Sequence, residues 1–156
     1  MSVKRMTLFG VMCAMLMLFS CSTTGYVWDE TLSPEQSATV WFMYFTPKGY
    51  NGMDILKDKV YLATFPAGDA ELLGDIHWSN QGYNVTYIFD KSDVTFSCKL
   101  EGGERYSAIA GARYSEEMQK RVWGIALYNE IPNIGWPKEE NLVAFIPFDP
   151  LMVSND

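Results

Sequence analysis

From Ala38 onward the chain breaks into short runs rich in Val, Ile, Tyr, Phe, Trp and Thr, separated by Gly, Pro, Asn and Asp. The spacing, close to the roughly 8 to 12 residues per strand-and-turn unit of sandwiches and barrels, predicts strands rather than helices. They fall at 38–46, 59–65, 70–78, 83–90, 93–100, 104–114, 121–129 and 142–148, with MDIL at 53–56 as an optional extra. In 83–90, Tyr83, Val85, Tyr87 and Phe89 share one face while Asn84, Thr86 and Asp90 share the other, as in a half-buried antiparallel strand. Asp90 and Asp93 in FDKSDV mark a tight reversal, and Gly102-Gly103 in LEGGERY mark a second. The strands at 83–90, 94–100 and 104–112 are therefore expected to pair as a meander.

Helix signals are few, and only SEEMQKR offers more than a single turn. Ser33 can cap one, with Pro34 at its first position and Gln36 three after the cap. Ser115 can cap another in SEEMQKR, which is too short to stand as a helix without packing. The fold class expected is all-β: an antiparallel two-layer β-sandwich of about seven to nine strands with at most short helical turns. Three runs, WFMYF, VWGIALY and LVAFIPF, are apolar on both faces. Such strands are either central and covered twice or help to line a groove, and coverage is the expectation because uncovered apolar patches are uncommon on monomers.

Upstream of the strands the pattern changes. Lys4 and Arg5 precede an uncharged run from Met6 to Phe19, which has the form of a secretory leader and is short of the about 20 apolar residues of a membrane span. The run ends in Leu18-Phe19-Ser20-Cys21, which resembles the lipobox of bacterial lipoproteins: Leu three before the cysteine, a small Ser one before it, then the cysteine. The resemblance implies cleavage between Ser20 and Cys21, with a diacylglycerol on the Cys21 thiol and frequent acylation of the new amino group. Two or three long chains, at about 0.8 kcal/mol per buried methylene, hold far more firmly than one myristoyl chain. Ser22 stands where some bacteria place an Asp retention signal, so the resemblance implies a cell-envelope lipoprotein bound for the outer membrane. The expected organisation is a signal peptide at 1–20, a lipidated N-terminus and tether at 21–32, and the β-sandwich domain at 33–156.

The strand region is similar to the small sandwich modules of uncharacterised bacterial lipoproteins. ATVWFMYF opens the domain, the FPAGD turn interrupts it, and the LEGGERYSA turn leads into a later strand, so the likeness spans Ala38 to Ala112. It implies the fold and transfers no catalytic residues.

Charge narrows the partners. After removal of residues 1–20, ten basic residues face 19 acidic ones, about −9 with neutral His. Nucleic acid requires a basic face and is excluded as an expected partner, as is broad electrostatic adhesion to anionic lipid. The lipid alone must hold the protein at its membrane. The resemblance implies that Cys13 leaves with the leader and that Cys21 is lipidated, which leaves Cys98 with no partner for an intramolecular disulfide. Cys98 falls with Val94, Phe96 and Leu100 on one strand face, and with no cation beside it a small buried apolar role is expected rather than a reactive thiol.

Candidate chemistry is sparse. His77 is the single histidine, and Asp75 lies two before it on the same strand face, neighbours that begin nearly 7 Å apart in a strand rather than a hydrogen-bonded dyad. Ser79 lacks a nucleophile elbow, and Asp90 and Asp93 are explained by their turn. Glu116-Glu117 and Glu139-Glu140 read as solvated surface, and Asn84-Val85-Thr86 is a sequon inside a predicted strand. No P-loop, dinucleotide fingerprint, EF-hand spacing or paired-cysteine metal motif is present, so neither cofactor nor metal is expected. Of the five tryptophans that survive processing, Trp136 in NEIPNIGWPKEEN lies in a Gly- and Pro-containing loop that no strand pattern buries, which makes it the candidate for ligand stacking. The expected function is a membrane-anchored, non-enzymatic structural or binding module with a protein or glycan partner. A small-ligand or carbohydrate binder is the alternative, and a hydrolase built on His77 the third.

Overall fold

The computed structural model describes residues 25–81 and 86–148. The leader, Cys21, the first part of the strand at 83–90 and the start of the sequon lie outside them. Among the described residues there are ten strands: β1 (Tyr26–Val27), β2 (Ser37–Met43), β3 (Phe45–Tyr50), β4 (Met53–Asp54), β5 (Leu62–Pro66), β6 (Gly68–Gln81), β7 (Thr86–Leu100), β8 (Arg105–Ser115), β9 (Lys120–Tyr128) and β10 (Leu142–Pro147). They form a six-stranded sheet in the order β1-β5-β2-β8-β9-β10 and a four-stranded sheet in the order β4-β3-β6-β7. The chain is thus mostly β, with helical structure among the described residues limited to two 3₁₀ turns, at Pro34–Gln36 and Glu139–Asn141.

Local chemistry accounts for the entry into β2. Gln36 Oε1 accepts the Ser33 backbone N–H at 3.1 Å, and Pro34 supplies the first position of the turn. Along β2, Ala38, Val40 and Phe42 are buried on one face while Thr39, Trp41 and Met43 are half-buried on the other. The predicted strand at 38–46 is in fact two strands. Tyr44, at φ 60°, breaks it, and the chain passes from the six-stranded sheet into the four-stranded one. Phe42 and Phe45 stay in contact across the break, with ring centroids 5.9 Å apart.

Two pairing expectations are corrected. FDKSDV does not reverse the chain, because β7 runs through it and stays paired with β6 from Gly68↔Leu100 to Gln81↔Thr86. The extra residues form a bulge between the pairs Ile76↔Lys91 and Gly74↔Val94, and Asp93 takes the left-handed φ of 56° that Asp tolerates. LEGGERY does turn the chain, with Gly103 at φ 82°, but it carries it from the four-stranded to the six-stranded sheet. There β8 pairs in parallel with β2 and antiparallel with β9. With β1–β5 also parallel, the six-stranded sheet is mixed rather than antiparallel throughout. A parallel neighbour needs a long crossover, which the excursion through β3 to β7 supplies. SEEMQKR is the β8–β9 hairpin turn instead of a helical one, with the Met118 N–H bonded to Ser115 Oγ at 3.2 Å.

One apolar cluster is filled from both sheets: Val40, Phe42 and Ile125 from the first, Phe45, Leu72 and Phe96 from the second. A smaller cluster of Ile109, Ala126 and Tyr128, with Trp41, Met43, Leu142 and Phe145 against it, occupies the other face of β2, β8, β9 and β10. The two-sided runs thus contribute apolar groups to both clusters. Arg113 closes the smaller one, its guanidinium carbon 6.0 Å from the ring centroids of both Tyr128 and Phe145. Cys98 packs against the main core, where burial pushes its thiol pKa up to about 11.

Candidate functional site

The loop from 129 to 141 leaves β9 and returns to β10, and its acidic side chains hold it down. Glu130 Oε2 accepts the Lys138 N–H at 2.9 Å and Asn141 Nδ2 at 2.8 Å, while the Glu130 carbonyl accepts Ser107 Oγ. Glu139 forms a two-pronged pair with Arg113, Nη1 to Oε1 at 2.8 Å and Nη2 to Oε2 at 2.9 Å. Arg113 Nη2 also donates to the Tyr128 hydroxyl at 2.7 Å. These bonds favour the ionised carboxylates. The Lys138 amide and then the Asn141 side chain lower the Glu130 pKa, and the Arg113 bond lowers that of Glu139.

On this braced loop Trp136 is 58% exposed, and Ile134 beside it 94%. The Trp136 ring lies 6.3 Å from that of Tyr44, tilted by 33°. Tyr44 lies 6.5 Å from Trp78, Trp78 5.4 Å from Trp123, and Trp123 stacks on Phe89 at 3.9 Å and 9°. Trp136 is therefore the outer end of an aromatic column that runs into the core. Such a ring can offer an apolar face to a sugar, a lipid or an apolar side chain without having to be ordered first. The position of Trp136 was readable from its loop. Its partners were not, because Tyr44 and Trp78 read as ordinary strand residues and reach Trp136 only through tertiary packing.

The remaining predicted groups lie apart from this column. His77 Nδ1 is 2.5 Å from Asp90 Oδ1, its partner across the β6–β7 ladder, with both side chains mostly in solvent. Asp75 turns away to Lys48 Nζ at 3.0 Å and accepts the Asp93 N–H at 3.1 Å, and Lys48 also holds Asp93 at 2.9 Å. The histidine's carboxylate neighbour is thus Asp90 rather than Asp75, and Asp90 and Asp93 serve different partners. Among the described residues no hydroxyl is bonded to the His77 ring, and no group of three His, Cys, Asp or Glu side chains is arranged to hold a metal ion. A shallow depression of about 350 Å³ lies between Asn51, Asp69, Ala70, Glu71, Ser97 and Cys98, where the Asn51 side chain is already bonded to the Asp69 carbonyl and the Glu71 amide.

No known family model matches the chain, and neither a curated protein nor a solved structure is similar to it.

Proposed function

We propose that the chain is a cell-envelope lipoprotein, anchored by a lipid on Cys21, whose folded part is a non-enzymatic structural or binding module built as a two-layer β-sandwich. The observation that carries the anchor is Leu18-Phe19-Ser20-Cys21 at the end of an uncharged run with Lys4 and Arg5 before it. The two-layer arrangement is supported by the apolar cluster filled from both sheets. Ser22 after the cysteine favours delivery to the outer membrane. Replacing Cys21 with Ala and feeding labelled palmitate tests the anchor: the label is expected to disappear, and its persistence on the variant would defeat the assignment.

A second reading, binding of a carbohydrate or small ligand, is favoured by Trp136, whose ring is exposed on a loop that Glu130 and Glu139 hold in place. Titration with soluble glycans against a Trp136→Ala variant tests it, with binding expected for the parent chain only. The hydrolytic reading at His77 has less support, since a general base needs its nucleophile within hydrogen-bond reach and Asp90 alone is bonded to the ring among the described residues.

A further inference from the structure

The lateral edges of the two sheets are β1 and β10 in one, β4 and β7 in the other. A sheet edge is a row of unpaired N–H and C=O groups, and folds blunt it by shortening, bulging or proline. β1 and β4 have two residues each, and β10 carries a bulge between Leu142 and Ala144 and ends at Pro147. β7 is different. From Val94 to Leu100 it is regular and free of Gly and Pro, and among the described residues it pairs with β6 alone.

Asn51 shows which β7 groups face outward. Its Nδ2 donates to the Asp69 carbonyl at 3.3 Å, its Oδ1 accepts the Glu71 N–H at 2.7 Å, and its own N–H donates to the Glu71 carbonyl at 2.8 Å. Backbone groups alternate sides along a strand, so Asp69 and Glu71 bond toward β3 while Ala70 and Leu72 bond their β7 partners, Cys98 and Phe96. Thr95, Ser97 and Lys99 therefore turn their N–H and C=O groups away from the sheet. The fold caps this row at both ends: the Asp93 N–H donates to Asp75 Oδ1 at 3.1 Å, and the Glu101 N–H to the Tyr106 hydroxyl at 3.1 Å. Between those caps the three residues are exposed, and no described residue bonds their outward backbone groups.

The surroundings of the row are acidic. Asp69 stands opposite Lys99 and Glu71 opposite Ser97, and Glu101 lies 3.4 Å from the Lys99 ammonium, so three exposed carboxylates meet one cation. The depression of about 350 Å³ bordered by Asn51, Asp69, Glu71 and Ser97 opens at the same place. We infer that the β7 edge from Thr95 to Lys99 takes up an extended, basic segment of another polypeptide as a fifth strand, its Lys or Arg side chains lying over Ser97 toward Asp69 and Glu71. Main-chain pairing supplies the affinity and the carboxylates select the partner. A second copy of this chain, with a net charge of −7, brings like charge to the row and is disfavoured. The inference holds whether or not Cys21 carries a lipid.

The test uses the full chain in detergent micelles and a fluorescein-labelled peptide of alternating lysine and valine, with its glutamate–valine counterpart as the control. Ser97→Pro removes one outward N–H and no bond to β6, so the variant is expected to melt as the parent does. The result expected is a rise in anisotropy with the lysine peptide, and binding at least about tenfold weaker for the glutamate peptide and for the Ser97→Pro protein. Amide exchange at Thr95, Ser97 and Lys99 of the parent is expected to slow when the lysine peptide is added. No binding by the parent, or equal binding by Ser97→Pro, would overturn pairing at this edge, and equal binding of the two peptides would overturn the basic partner. Where Ser97→Pro melts early, exchange in the parent decides, and unchanged amide rates with the peptide bound would overturn the proposal. Slow exchange at those amides without peptide would also overturn it, in favour of a second copy where the slowing grows with protein concentration and of a segment of this same chain where it does not.

Discussion

The carbonyl of Tyr44 accepts the backbone N–H of His77 at 3.0 Å, at the point where the chain leaves one sheet for the other. Tyr44 holds that position at φ 60°, a left-handed conformation that costs a β-branched residue more than it costs Asn. Tyr44→Val is therefore expected to be less stable than Tyr44→Asn by about 1 kcal/mol, although Val is the more apolar side chain at a half-buried site. Both variants lose the ring contacts to Trp78 and Trp136, so the comparison isolates the backbone. Urea denaturation of the pair measures it, and a more stable Val variant would contradict the account.

Close approach governs a second site. A Cβ at Gly74 would run into the Thr46 carbonyl oxygen and the Phe45 ring, beside the bulge that β6 shares with β7. Gly74→Ala is expected to lose about 1–3 kcal/mol by overpacking. Gly111 has open space around its Cβ position, and Gly111→Ala should lose nothing or gain up to about 1 kcal/mol. Thermal or chemical melts of the two variants check the contrast.

The Trp136 loop should respond to acid. Glu130 and Glu139 both have folded pKa values below the ordinary glutamate value of 4.5, so their stabilisation is complete above that value and fades as pH falls through the lowered ones. Lowering the pH from 6 to about 2 should free the loop and change Trp136 emission. A Glu139→Gln variant should begin with a partly loosened loop and show a smaller acid-induced change. A parent protein whose Trp136 signal stays flat across that window would refute the brace.

The Cys98 thiol, held near pKa 11 by burial, should be nearly inert to a thiol reagent at pH 8 in the native protein and react promptly in denaturant. Time courses with and without urea decide the point. Rapid native reaction would show that the β6–β7 region opens readily.

The strands were legible because side-chain alternation and β-branched or aromatic runs are local signals, and most of the predicted segments overlap observed ones. What the chain does between strands was less legible. Asp93 supplies the same left-handed tolerance to a bulge as to a reversal, so the residues alone did not choose between them. Gly102 and Gly103 turn the chain, yet the choice of β2 rather than β7 as the neighbour of β8 is made by packing between distant segments. Tyr44 gave no warning, because a Tyr within an apolar run carries none of the Gly or Asn chemistry that marks a positive φ. At the candidate site, Trp136 stood out by its loop, whereas the ring column behind it and the Asp90 partner of His77 exist only once the strands are in register.

The central claim is a lipid on one thiol. Mass spectrometry of the N-terminal peptide of protein made in its native host tests it most directly. The account predicts a chain that begins at Cys21 with a diacylglycerol on its sulfur; an unmodified N-terminus at or downstream of residue 21 would contradict it.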